Sequence, residues 1–179
     1  MKIVIDRREK NSLVIAELHQ LGAEYELKHL TLADYLINYE VAIERKTITD
    51  FVTSMLNRRL IEQLSDLKKN YKKPILIIEG FENEDIHKPS NHPNINENSI
   101  RGMILSIATE FQIPMIFSKD HKDTAKYLFL LAKRYDKEKR EFGLNVKRKA
   151  LSMKQQQQFI IEGFPGVGAR VLPSQSQRG

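Results

Sequence analysis

The chain has 179 residues, 41% of them hydrophobic and 29% charged, with no cysteine and a net charge of +6. That suffices for one compact domain with a real core, and it excludes wholesale disorder, disulfides and thiolate metal sites. No apolar run approaches the roughly 20 residues of a membrane helix, and the early charges at Lys2 and Asp6 are unlike a secretory signal, so a soluble cytoplasmic protein is expected.

Taken in chain order, residues 2–5 form a β-branched run ending at Asp6 and predict a buried strand. Asn11-Ser12 can cap a helix in which Val14, Leu18 and Leu21 share a face, and Gly22 ends it. Residues 24–30 alternate weakly and read as a second strand. Residues 35–37 and 41–43 are apolar runs joined by Asn38-Tyr39-Glu40, a hairpin pattern. Residues 47–56 and 58–70 read as helices, the second with Leu60, Ile61, Leu64 and Leu67 on one face. Pro74 opens a continuous apolar strand at 75–78, of the kind buried in a parallel sheet. Residues 82–98 hold Pro89, Pro93 and five asparagines and read as a loop.

Ile100, Met103, Ile104, Ile107, Ala108 and Phe111 then follow helical spacing, and residues 115–117 form a short strand. Ala125, Leu128, Phe129, Ala132 and Tyr135 mark a final amphipathic helix. Strands alternating with helices imply an α/β layer fold, and the central hairpin argues for a mixed sheet. The domain is expected to span 1–142. A basic linker follows at 143–150, with Lys147, Arg148 and Lys149, then a partial element at 151–172 and a disordered tail at 173–179.

Charge is uneven along this order. Residues 119–149 hold eleven Lys/Arg against five Asp/Glu, and the rest balances at eighteen each. Such a stripe is the footprint of a phosphate-backbone partner, and equally the solvated face of a lysine-rich helix.

The chemistry concentrates between Asp34 and Lys46. On a strand, Glu44 and Lys46 point to one side and Arg45 to the other. Asp34 lies on the preceding hairpin arm, within reach of Glu44. Two adjacent carboxylates repel, and a hard divalent cation, Mg²⁺ or Mn²⁺, resolves the conflict. Such an ion activates water and stabilises phosphoryl charge, and Lys46 beside it could orient the water or neutralise the phosphate. The bare D-x(n)-E-x-K pattern also fits an exposed hairpin with alternating surface charges.

Neighbouring residues add specificity. Glu44-Arg45-Lys46-Thr47-Ile48-Thr49-Asp50 resembles the E-R-K-x-x-x-D signature of the XPF-type nuclease family, which includes eukaryotic repair nucleases and the archaeal protein Hef. Asp6-Arg7-Arg8-Glu9, Asp34-Tyr35, Arg59-Leu60-Ile61-Glu62-Gln63, residues 75–80 and Ile100-Arg101-Gly102 resemble further family segments in the expected order.

The resemblance implies a restriction-endonuclease-like α/β core, with a mixed central sheet flanked by helices. It implies a structure-specific DNA endonuclease acting near branches such as 3′ flaps, forks and nicked junctions, in repair or fork processing. Asp34 and Glu44 would hold the metal, with Asp6 as a further acidic group. Lys46, Arg8, Arg45 and Asp50 would serve catalysis, and Gln63 would contact DNA. Asp50 has a second reading as part of a helix capping box with Thr47; Glu9 has one as the partner of an arginine.

The family usually has glycine where this chain has Ala33, and a positive φ there would cost alanine roughly 1 kcal/mol. Gly163-Phe164-Pro165-Gly166-Val167-Gly168 resembles the hairpin of a helix–hairpin–helix element, with Gly166 and Gly168 at the DNA phosphates and Lys147 and Arg148 as added contacts. Only eleven residues follow Gly168, so the tandem domain is read as truncated. The implied partners are branched DNA, a second copy of the chain and a sliding clamp or helicase, with no membrane, and an archaeal source is expected. The alternative is a scaffold subunit that binds DNA without cutting it.

Overall fold

Six short strands build one mixed sheet among the residues that the structure, a computed structural model, describes: the backbone of 2–149 and side chains to Lys137. Strands β1 (Ile3–Asp6), β2 (Tyr25–Lys28), β3 (Tyr35–Ile37), β4 (Val41–Thr47), β5 (Lys73–Glu79) and β6 (Met115–Ser118) lie in the order β2-β1-β3-β4-β5-β6. The outer pairs are parallel, while β3 runs antiparallel to both β1 and β4. Helices α1 (Leu13–Gln20), α2 (Ile48–Leu56), α3 (Arg59–Asn70), α4 (Glu97–Ser106) and α5 (His121–Lys149) complete the order. The predicted mixed sheet flanked by helices is the observed architecture.

Strand alternation divides the core between two faces. On one, Ile3, Ile5, Tyr35, Ile37, Val41, Ile43 and Ile77 pack with Val14 and Leu18 of α1 and Ala125, Leu128 and Ala132 of α5. On the other, Leu76 and Ile78 pack with residues of α2, α3 and α4, and Val4, Leu36 and Ala42 pack with Leu67. Of the apolar residues in the 100–135 stretch, Ile100, Ile107, Ala125 and Leu128 are core, while Leu105 and Leu130 remain exposed.

Several boundaries differ from the sequence pattern for identifiable reasons. Thr47 precedes α2 instead of starting it, because its hydroxyl accepts a hydrogen bond from the backbone N–H of Asp50 at 3.1 Å. The helical pattern through residue 111 is interrupted: α4 ends at Ser106, a π-type turn spans Ile107–Phe111, and Gln112 stops it at φ 53°. The loop after β5 is tied down. Glu84 accepts hydrogen bonds from Thr49 and Ser90, and Asn91 donates to Thr53. Helical backbone continues through the expected linker to Lys149. The expected elements at 151–172 and 173–179 lie outside the described residues. The first of two compact units is Met1–Asp136.

Left-handed backbone shapes the hairpin. Asn38 and Tyr39 turn the chain at φ 55° and 57°, and Ala33, immediately before Asp34, sits at φ 72°. The methyl of Ala33 is buried with Val4, Leu36 and Ala42. Replacing it with glycine relieves about 1 kcal/mol of strain and loses about 0.8 kcal/mol of methyl burial, so Ala33→Gly should shift urea-unfolding stability by less than about 1 kcal/mol. Ala33→Val, β-branched at positive φ, should destabilise by at least ~2 kcal/mol.

Candidate active site

The register of the β3–β4 hairpin assembles the acidic pair. Tyr35 pairs with Ile43 at the end of the ladder, and Asp34, the next residue, hydrogen-bonds to both chain neighbours of Glu44. The Asp34 N–H donates to the Ile43 carbonyl at 2.9 Å, and its Oδ2 accepts from the Arg45 N–H at 2.9 Å. Glu44 and Lys46 lie on the same face of β4, both only 7% exposed, with Lys46 Nζ donating to Glu44 Oε1 at 3.1 Å. Gln63 on α3 donates its Nε2 to the same oxygen at 3.1 Å. Its place is thus against Glu44, within the acidic cluster.

Burial, then the nearby Glu44 charge, push the Asp34 carboxyl up to about 7; the Arg45 N–H and Lys46 oppose the shift without cancelling it. Among the hydrogen bonds of the described residues, Oδ2 of Asp34 and Oε1 of Glu44 are used, leaving Oδ1 and Oε2 for a further partner. Two buried anionic oxygen donors in electrostatic conflict are a donor set that fits a hard divalent cation.

Asp6, expected as a further acidic group, is committed elsewhere. Its Oδ1 accepts from the Arg8 N–H and Nε, both at 2.7 Å, and its Oδ2 from the Leu30 N–H at 2.6 Å. Burial alone would raise its pKa, but those bonds hold it below the ordinary carboxylate value. Its N–H also donates to the Asp34 carbonyl at 2.8 Å. Asp6 therefore ties the loop leading to Asp34. Among the described residues no three His, Asp or Glu side chains converge on one point.

Arg8 pairs with Asp6 while its side chain stays 64% exposed, close enough to feel the charges of Asp34 and Glu44. The Asp50 N–H donates to the Thr47 hydroxyl at 3.1 Å, the N-cap bond of the capping reading, while the Asp50 carboxylate accepts from that same hydroxyl at 2.9 Å. Gly166 and Gly168 lie outside the described residues. Lys147 and Arg148 belong to the helical backbone, their side chains undescribed.

Arg45 faces the opposite side of the sheet, as strand alternation predicts. Its guanidinium grips Glu79 at 2.6 and 2.8 Å and lies 3.5 Å from Glu9, which also accepts from the Tyr35 hydroxyl at 3.1 Å. Thr124 of α5 donates to Glu79 at 2.6 Å and sits 2.7 Å from the buried Ser118 hydroxyl. This polar chain supports Arg45, whose N–H holds Asp34. Sequence reasoning anticipated Glu9 as an arginine partner but missed Glu79, Thr124 and Ser118. The available signal was a lone carboxylate closing an apolar strand, which needs a cation when buried.

The ERCC4 domain pattern matches residues 5–131. This chain belongs to the ERCC4-domain, XPF-type nuclease family. It is 34% identical over 172 residues to the 3′-flap repair endonuclease Xpf of Saccharolobus solfataricus, covering 94% of this chain and 72% of that one. It is 42% identical over 169 residues to a Methanocaldococcus jannaschii protein named as an ATP-dependent RNA helicase, covering 94% of this chain but only 20% of that longer protein. The XPF structure from Aeropyrum pernix superposes with a TM-score of 0.70 at 27% identity, covering 94% of this chain and 76% of that one. The same XPF in complex with DNA gives a TM-score of 0.66 at 28% identity, with coverage of 93% and 76%. The fold is thus that of the XPF nuclease domain, restriction-endonuclease-like.

Two outcomes follow from the electrostatics. Between pH 4 and 7, without divalent cations, the folded chain retains a proton on Asp34 that the unfolded chain releases. Its stability should therefore fall as pH rises through that window, and Asp34→Asn should flatten the slope in urea unfolding. Glu79→Ala leaves the Arg45 charge largely buried and should cost about 3 kcal/mol, well beyond the loss from changing the exposed Glu82.

Proposed function

We propose that this XPF-family chain is a structure-specific DNA endonuclease that hydrolyses phosphodiesters near branches, in repair or fork processing. The observation that carries this is the hairpin register that sets Asp34 against Glu44 with Lys46 on the same face. The relatives add support, since one is named a 3′-flap repair endonuclease and one solved relative is a complex with DNA.

Asp34 and Glu44 would hold Mg²⁺ or Mn²⁺ through the oxygens left outside the hydrogen bonds described above. Such a cation, when bound, supplies positive charge for the phosphoryl oxygens and lowers the pKa of a coordinated water. Lys46, on the same strand face as Glu44, would neutralise the phosphate in the transition state. Arg8, exposed beside the pair, is placed to meet a neighbouring phosphate. Contacts of this kind read backbone shape and position, which suits branched DNA recognised without base sequence.

The wider assembly is part of the same proposal. A second copy of the chain would dock on the side chains left exposed in the 100–135 stretch, Leu105 and Leu130 among them. A sliding clamp or helicase would recruit the protein, and its place would be the cytoplasm. No helix among the described residues is long and apolar enough to cross a membrane.

Labelled 3′-flap, fork and plain duplex DNA incubated with Mg²⁺, Mn²⁺ or EDTA test the proposal. Cutting near the branch is expected, abolished by EDTA and reduced at least roughly a hundredfold by Asp34→Asn or Lys46→Ala. A folded chain that binds the flap and cuts in neither metal would instead be the non-cutting scaffold.

A further inference from the structure

Gln63 is half-buried on the face of α3 that meets β4. Its Nε2 and the ammonium of Lys46 both donate to one oxygen, Oε1 of Glu44, each at 3.1 Å. A carboxylate only accepts, so the amide must turn its NH₂ towards Glu44. Its other end, Oε1, is then buried without a hydrogen-bond partner among the described residues. A buried unsatisfied acceptor costs free energy, and an apolar side chain of similar length would avoid that cost.

We propose that Gln63 is a positioning residue of the acidic site: as a neutral donor it holds Oε1 of Glu44 so that Oε2 is presented to a divalent cation. The inference rests on the nuclease function proposed above. Neutrality is the essential property. Lys46 also restrains Glu44, but its charge opposes a cation and it must yield when one binds. A second cationic donor would deepen that opposition, and serine or threonine is too short to reach across from α3. A long amide combines that reach with an uncharged donor, and the unpartnered Oε1 is the other half of the same group. Hydrogen bonds that orient metal-ligating carboxylates from outside typically change metal affinity or activity 10- to 100-fold when removed.

Direct Mn²⁺ binding, followed by the electron paramagnetic resonance of free Mn²⁺, separates this role from a structural one. Gln63→Met keeps the length and removes both polar ends. Its urea midpoint should stay level or rise, its Mn²⁺ dissociation constant should increase roughly tenfold, and kcat on flap DNA should fall with KM unchanged. Raised Mn²⁺ should restore that kcat. Gln63→Lys, which keeps a donor but charges it, should weaken Mn²⁺ binding at least as much. Wild-type Mn²⁺ affinity in both folded variants would overturn the assignment, as would a loss that tracks the unfolded fraction. Should the wild-type chain neither bind Mn²⁺ nor cut, the nuclease function falls as well, whereas Mn²⁺ binding shared equally by wild type and variants removes only the role of Gln63.

Discussion

Two carboxylates held opposite each other across a tight hairpin repel, and burial makes the repulsion expensive. The pairing of β3 with β4 forces Asp34 against Glu44, and neighbouring structure is arranged to tolerate that enforced contact. The Arg45 N–H takes one oxygen of Asp34, while Lys46 and Gln63 take one oxygen of Glu44. These donors reduce the conflict without removing it: burial, then the Glu44 charge, still raise the pKa of the Asp34 carboxyl. A site left in such tension is poised for a divalent cation, which satisfies both acids at once.

The two faces of β4 divide the labour. Glu44 and Lys46 look towards α3, where the proposed chemistry lies. Arg45 looks the other way, into a polar chain through Glu79 to Thr124 at the start of α5, with Glu9 and Tyr35 beside it. Strand alternation thus lets three consecutive charged residues serve two environments. The Arg45 backbone joins them, since the residue anchored on one side supplies the N–H that holds Asp34 on the other.

Asp6 and Ala33 set the approach of the chain to this hairpin. Asp6 ties down Leu30 and the Asp34 carbonyl, and Ala33 adopts a left-handed conformation where a glycine would be unstrained. Alanine is kept in that conformation by packing against Val4, Leu36 and Ala42. Backbone strain at this point is the local cost of delivering Asp34 to its place.

Much of this was legible in the residues alone. Period-two alternation placed Glu44 and Lys46 together and Arg45 apart, apolar runs marked the core strands, and Thr47-x-x-Asp50 announced the cap of α2. Those are local signals, governed by backbone periodicity and hydrogen bonding over a few residues. Other features depended on tertiary structure. Glu79 and Thr124 lie far apart in sequence and meet Arg45 only because β5 pairs with β4 and α5 covers that face. The hold of the Arg8 and Leu30 N–H groups on Asp6 was likewise not legible locally, since Leu30 lies far along the chain. Residue order alone marks which groups can do chemistry and which side of a strand they share; which of those charges are already satisfied depends on the fold, because a buried charge takes whichever partner the packing of distant segments brings within hydrogen-bond reach.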